Sequence, residues 1–329
     1  MLRLALFTSL VLGAVPAVAA PLTLDVVRPQ VRIHLGPEAD GIAITPGAVW
    51  AASKRPNMVS RIDPVTNRID ARIPLPGIPC AGLASGLGSL WVPMCGPRPA
   101  IVRIDLARAR IQAVFAVDAV VADAGIAVGV ADLWAPLAGT GALGRLDPET
   151  GRIKQRVAVP PGTLNLIVAN GMVWTSSAAR GRVTVLDEAS GRVLASVRVG
   201  GGPGMLAAGG GAVWVLDRKD GSVERIDIAT RRRGSAIAAR SAGRGGDIAF
   251  GEGRVWTTVL GKPLTMIDPA RGQVLARWTG PGGDSLGVDS GSVWLTDLRR
   301  GDLVRLPVSA LIAAATSAKS AAPARRPRP

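Results

Sequence analysis

Asn170-Gly171-Met172-Val173-Trp174-Thr175-Ser176, followed a few residues later by Val183-Thr184-Val185-Leu186-Asp187-Glu188-Ala189-Ser190-Gly191, contains the fold in miniature. Asn-Gly is the dipeptide of a two-residue hairpin, whose central residues both need positive φ. It joins a strand near 166–169 to a strand over 172–176. The segment Asp187-Glu188-Ala189-Ser190-Gly191 then turns a third strand, 183–186, into a fourth at 193–199. An aspartate in such a turn bonds the chain's own backbone two residues on. The strands are apolar on both faces, so both faces must be covered.

The same unit recurs along the chain. Trp50, Trp91, Trp134, Trp174, Trp214, Trp256 and Trp294 are each preceded by Val or Leu and follow one another at 38 to 43 residues. Eight positions before each stands Ile or Leu, and three before stands Gly or Ala. Aspartate follows six of them in the turn position: Asp63, Asp105, Asp147, Asp187, Asp227 and Asp268. Four strands in about 40–45 residues, repeated seven times, is the signature of a β-propeller. The predicted fold is therefore all-β: a seven-bladed propeller of four-stranded antiparallel blades. Blades stack face to face, and the repeated Trp and Asp are read as structural.

The two ends agree with that count. The seventh copy has strands around Trp294 and at 303–306, then Pro307 where the aspartate should stand, and no fourth strand follows. Gln30-Val31-Arg32-Ile33-His34-Leu35-Gly36 matches the fourth strand of the first copy. The N-terminal strand is thus expected to close the last blade and remove the open edge. The expected organisation is a signal peptide over 1–19, a lead over 20–29, one propeller over 30–308 and a disordered Ala/Pro/Arg-rich tail over 309–329.

The leader reading rests on the Met1-Leu2-Arg3 start, the apolar stretch 4–15 and the small residues Ala17-Val18-Ala19. It is too short for a membrane span, and no later run is long and apolar enough for one. The mature chain is expected in the periplasm or secreted, as a monomer. Of the net charge of +15, about +10 belongs to the folded body once Arg3, Lys319, Arg325, Arg326 and Arg328 are set aside. That excess attracts anionic polymers or surfaces weakly and in a salt-dependent way.

The recurring pattern of Gly211-Ala212-Val213-Trp214-Val215 and Arg145-Leu146-Asp147-Pro148-Glu149-Thr150-Gly151 resembles the exported YVTN-type and virginiamycin B lyase-like seven-bladed propellers. The resemblance spans roughly 30–308. It implies the propeller fold but no one activity, because such scaffolds carry lyases, lactonases, dehydrogenase subunits and binding modules alike. The lyase branch implies a metal-assisted elimination that uses two histidines and a glutamate at the channel mouth. This chain has one histidine, His34, on the strand expected to be outermost in the closing blade. The quinone-dependent enzymes of similar architecture are larger, and the dedicated cofactor contacts they use are not present here. No catalytic residue, metal site or cofactor is therefore assigned.

Charged side chains mark one face. The loops that lead into the first strand of each blade hold Asp40, Asp123, Asp247 and Asp284 near the axis. The loops between second and third strands hold Lys54, Arg55, Arg98, Arg180, Arg218, Lys219, Lys262, Arg299 and Arg300 farther out. The expectation is a basic collar around an acidic throat, where a small molecule or a protein partner binds. The alternative is a lyase or hydrolase that uses throat carboxylates as acid and base, one of them with a raised pKa. Polyanion or single-strand binding is a third reading, but it lacks the aromatic platforms that stacking needs.

Cys80 and Cys95 are the only cysteines. An exported chain with an even count reads as bridged. If Leu87-Gly88 is the hairpin turn of the second copy, Ala84 lies opposite Trp91 and Cys80 opposite Cys95, within bridging distance. Pro93 lacks the N–H to continue the ladder, so pairing should loosen there.

Overall fold

Each repeat tryptophan sits in the second strand (B) of its own four-stranded antiparallel sheet, at most 1% exposed. The computed structural model describes residues 21–28, 30–80, 82–117, 124–137 and 141–321. Blade 1 consists of Ala39–Thr45, Ala48–Lys54, Asn57–Asp63 and Arg68–Pro74, strands A to D in order. Blade 4 consists of Thr163–Ala169, Met172–Ser177, Arg182–Asp187 and Val193–Arg198, close to the expected spans. The A strands of successive blades touch one another from blade 1 through blade 7 and back to blade 1, so they line the centre of a closed ring. Blade 7 is completed by Val31–His34, which pairs antiparallel with Asp302–Pro307 beyond Ser292–Asp297 and Leu286–Asp289. The N-terminal strand closes the ring as its sequence requires.

The turn chemistry is as read. Asn170 and Gly171 have φ of +53° and +68°. Asp147 Oδ1 accepts the N–H of Glu149 and of Thr150 at 3.0 and 2.9 Å, and Asp63, Asp187, Asp227 and Asp268 hold the same turn in their blades. These bonds stabilise the ionised form, so the carboxyls of Asp63, Asp105, Asp147, Asp187, Asp227 and Asp268 all sit below the ordinary carboxylate range.

A second use of the repeat joins the blades. In blades 1, 2, 3 and 7 the C-strand arginine opposite the tryptophan lies over the indole: Arg61 on Trp50, Arg103 on Trp91, Arg145 on Trp134 and Arg305 on Trp294, at 5.0 to 5.8 Å. Three of these arginines reach the C–D turn of the next blade. Arg103 donates to the Pro148 carbonyl, Arg145 to that of Ala189, and Arg305 to that of Pro64 and to Asn67 Oδ1 at 2.8 Å. The Arg305 link joins blade 7 to blade 1.

Blade 2 departs from the expected register. Ala84 does face Trp91, but the A strand breaks into Ile78–Pro79 and Ala84–Gly86, and it is Ile78 that lies opposite Cys95. Cys80 sits diagonally from Cys95, with Cα atoms 5.6 Å apart, and the two are disulfide-bonded. Pairing does not simply loosen at Pro93, because its carbonyl accepts the Cys80 N–H at 2.8 Å.

The expected disordered tail is a helix over most of its length. Helix α1 (Val308–Ala321) starts straight after Pro307 and buries Val308, Leu311 and Ala315 in an apolar cluster shared by blades 6 and 7. Alanine is the strongest helix former, and Val308, Leu311, Ile312 and Ala315 form an i, i+3, i+4, i+7 stripe. The lead is ordered too. Leu22–Thr23 adds a fifth, parallel strand to the outer edge of blade 6, with Leu22 opposite Trp278. Trp278, the one tryptophan outside the repeat, is fully buried in the same cluster as this strand and α1. Residues 322–329 lie outside the described residues.

Candidate functional site

Three of the four throat aspartates come together where blades 6, 7 and 1 meet. Asp123 lies outside the described residues. Asp40 and Asp247 stand within A strands, in Ala39–Thr45 and at the start of Asp247–Gly251, rather than in the preceding loops. Asp284 is in the loop that enters blade 7.

Each carboxylate ties neighbouring blades together. Asp247 of blade 6 accepts the N–H of Leu286 in blade 7 at 3.2 Å and that of Ile248 at 2.8 Å. Asp284 of blade 7 returns the contact, accepting the Gly246 N–H at 3.0 Å. Ser285 Oγ donates to Asp40 Oδ1 of blade 1 at 2.9 Å and accepts the Gly41 N–H at 2.9 Å. Asp40 also faces Lys54, with Nζ 3.4 Å from Oδ2.

Their electrostatics are uneven. Burial pushes Asp247 up to about 7; its two backbone N–H bonds oppose that rise, and the charges of Asp284 and Asp40 add to it. Asp284 is raised as well, first by burial and then by Asp40, while the Gly246 N–H, Lys54 and Arg218 pull it back. The carboxylates feel one another's charge but share no hydrogen bond. Among the described residues, no three His, Cys, Asp or Glu side chains are placed to hold a metal ion together.

The collar divides into bases already engaged and bases left free. Lys54 pairs with Asp40, Arg55 with Glu38, and Arg300 faces Asp297 at 3.9 Å. Lys262 donates to the carbonyls of Arg240 and Ala242 at 3.2 and 2.9 Å. Arg98, Arg180, Arg218, Lys219 and Arg299 are exposed and make no ion pair among the described residues. They belong to blades 2, 4, 5 and 7, so the free bases are spread around the rim.

Sequence reasoning missed Ser285, which bridges blades 7 and 1, and the exposed Arg240 and Arg244 in the connection between blades 5 and 6. The signal for the arginines was the run Arg240-Ser241-Ala242-Gly243-Arg244-Gly245-Gly246, which puts two bases in a connection expected to be acidic. His34 is on the outermost strand of blade 7, where Nδ1 lies 3.0 Å from Asp302 Oδ1, far from the inner strands.

With this geometry, three solved structures are informative. A catalytically inactive virginiamycin B lyase from Staphylococcus aureus, with quinupristin, superposes at a TM-score of 0.70, covering 85% of this chain and 99% of its own at 16% identity. BamB from Moraxella catarrhalis matches at 0.59, over 82% of this chain and 83% of its own, with 15% identity. A computationally designed protein, Ika8, matches at 0.62 over the same shares with 14% identity. The likeness is one of fold. No protein-family model matches the chain, and no curated protein does.

Proposed function

We propose that this chain is an exported, non-catalytic β-propeller that binds an acidic ligand or protein partner through the face carrying its B–C and D–A loops. One observation carries this reading: the throat carboxylates are occupied as ties between blades, whereas Arg98, Arg180, Arg218, Lys219 and Arg299 are exposed and unpaired around the rim. Surface bases without an ion pair have none to break when a partner engages them, and they speed its encounter. Export is supported by the leader-like start and by the Cys80–Cys95 bridge.

The test uses mature protein on a sulfated-polysaccharide column. Changing Arg98, Arg180, Arg218 and Lys219 to Glu together is expected to lower the eluting salt concentration sharply and flatten its dependence on ionic strength. Unchanged retention in that variant, with retention abolished by deleting residues 322–329, would move binding to the tail and refute the proposal.

The raised Asp247 favours a second reading, in which its proton serves a hydrolysis or elimination at the throat while Asp284 acts as the paired group. Turnover of an ester or lactone panel with a break near neutral pH, lost in Asp247→Asn, would establish it.

A further inference from the structure

Blades 5 and 7 carry the same aspartate, three residues after the repeat tryptophan, and treat it differently. In blade 5, Asp217 is capped by the incoming loop: Oδ2 accepts the Gly202 N–H at 2.9 Å, and Gly200 and Gly202 lie so close that a Cβ on either would collide with the carboxylate. In blade 7, the loop Gly280-Pro281-Gly282-Gly283 stands off Asp297. A Cβ on Gly282 would meet that carboxylate only at 3.6 Å, and Pro281 has no N–H to offer. Gly283 instead donates to the Thr296 carbonyl at 3.3 Å. Asp297 Oδ1 takes the Arg300 N–H at 3.2 Å, and the base nearest Oδ2 is Arg300 Nε at 3.9 Å. A buried carboxylate is thus left with one oxygen short of partners.

The space between loop and aspartate is a small open cleft of about 80 Å³, which suits a short alkyl chain rather than a large ligand. Its floor is blade 7, where Leu295, Val304 and Arg32 form one cross-strand row facing blade 6. Its roof is the N-terminal segment, which contributes Leu24 and the exposed Asp25 as it leaves the edge of blade 6. Arg32 already faces Asp302 at 3.9 Å. The lining acids are Asp297 below, which faces Arg300 at 3.9 Å, and Asp25 above, which makes no ion pair among the described residues; the walls between them are aliphatic.

We infer that this cavity binds a small organic cation, a primary alkylammonium or short diamine, whose ammonium donates to Asp297 Oδ2 while its carbon chain lies against Leu24, Leu295 and Val304. A second ammonium of a diamine reaches Asp25. None of Arg98, Arg180, Arg218 and Lys219 lines the site, and it takes the opposite charge, so it is independent of the function proposed above.

Calorimetric titration of mature protein with 1,4-diaminobutane and with butylamine, against butyrate as control, tests the assignment. The amines are expected to bind saturably and butyrate not at all. Asp297→Asn keeps the acceptor for Arg300 and should weaken amine binding by about tenfold or more, the loss of a charge-assisted hydrogen bond. Thr23→Trp, on the exposed roof, should block the mouth without touching the core. The reversed rim variant should bind amines as before. Absence of saturable amine binding at millimolar concentration, or equal binding in Asp297→Asn and Thr23→Trp, would overturn the inference.

Discussion

In blades 2, 3 and 7 the C-strand arginine works in three directions at once: onto its own tryptophan, into the next blade's turn, and toward an acceptor two residues before the tryptophan. That acceptor is Ser89 for Arg103, Asp132 for Arg145 and Ser292 for Arg305, at 2.9, 2.6 and 3.0 Å from Nε. Blade 1 has Ala48 at this position, and there Arg61 Nε makes no hydrogen bond and only faces Asp70 Oδ2 at 3.7 Å. A serine hydroxyl would give this buried donor a hydrogen-bond acceptor, so Ala48→Ser is expected to raise stability by about 1 kcal/mol. Denaturant unfolding should show a higher midpoint at unchanged slope. The Trp and Asp columns were legible because they recur in nearly every copy. The arginine's role was not, because its partners lie in the neighbouring blade and sequence spacing does not reveal them. Asp247 makes a pH prediction at the same scale. A carboxyl whose pKa rises from 3.8 to about 7 on folding binds its proton more tightly in the native state. Its contribution to stability is therefore complete below pH 3.8 and is lost as pH climbs toward 7. Asp284 acts in the same direction, and the lowered turn aspartates oppose it only at the acid end, where they become protonated. Melting temperature should fall between about pH 4 and 7, and Asp247→Asn should flatten that fall; an unaltered slope would remove the assignment.

Among the elements, the helix and the split strand of blade 2 show where local pattern was misjudged and where it could not suffice. Helix α1 was readable: the 308, 311, 312, 315 stripe is present in the sequence, but the Pro and Arg residues beyond 322 coloured the reading of the whole tail. Leu311 is fully buried beside Trp278 in the shared cluster. Leu311→Ala is expected to destabilise by about 3 kcal/mol, the loss of a buried leucine plus a cavity, and to appear as a lower thermal midpoint. A disordered tail would show no change. Blade 2 is different in kind. The pairing of Ala84 with Trp91 followed from the turn, but the two-residue slip before it arises from a strand break that hairpin arithmetic carries no sign of. The disulfide survived that error because a diagonal pair at 5.6 Å is still within bridging range.

For the whole molecule, the ring is a chain of neighbour contacts whose two ends meet in blade 7. Three kinds of link make that meeting: the strand Val31–His34, the Arg305 bonds to blade 1, and the Ser285 bridge to Asp40 and Gly41. The seven copies and their closure were visible in the sequence because each is a periodic property. The clustering of Asp40, Asp247 and Asp284 was not, since only closure brings residue 40 beside residue 284. Removing residues 21–35 should leave Asp302–Pro307 as a bare edge and raise the protein's tendency to self-associate relative to the intact chain, read by sedimentation. A monomer with unchanged melting would show that the other two links suffice.

Closure also sets an order in time. The strand that completes blade 7 leaves the ribosome before the first strand of blade 1, and its partner, Asp302–Pro307, after the last strand of blade 6. Six blades have every strand they need while the seventh is still waiting. Until then the nascent chain carries one orphan strand at its front and an open stack behind it. A product halted anywhere before residue 302 can build good blades and still never lock. Quality control at the level of the fold is thereby built into chain order: only a molecule translated past residue 307 can hide its last edge.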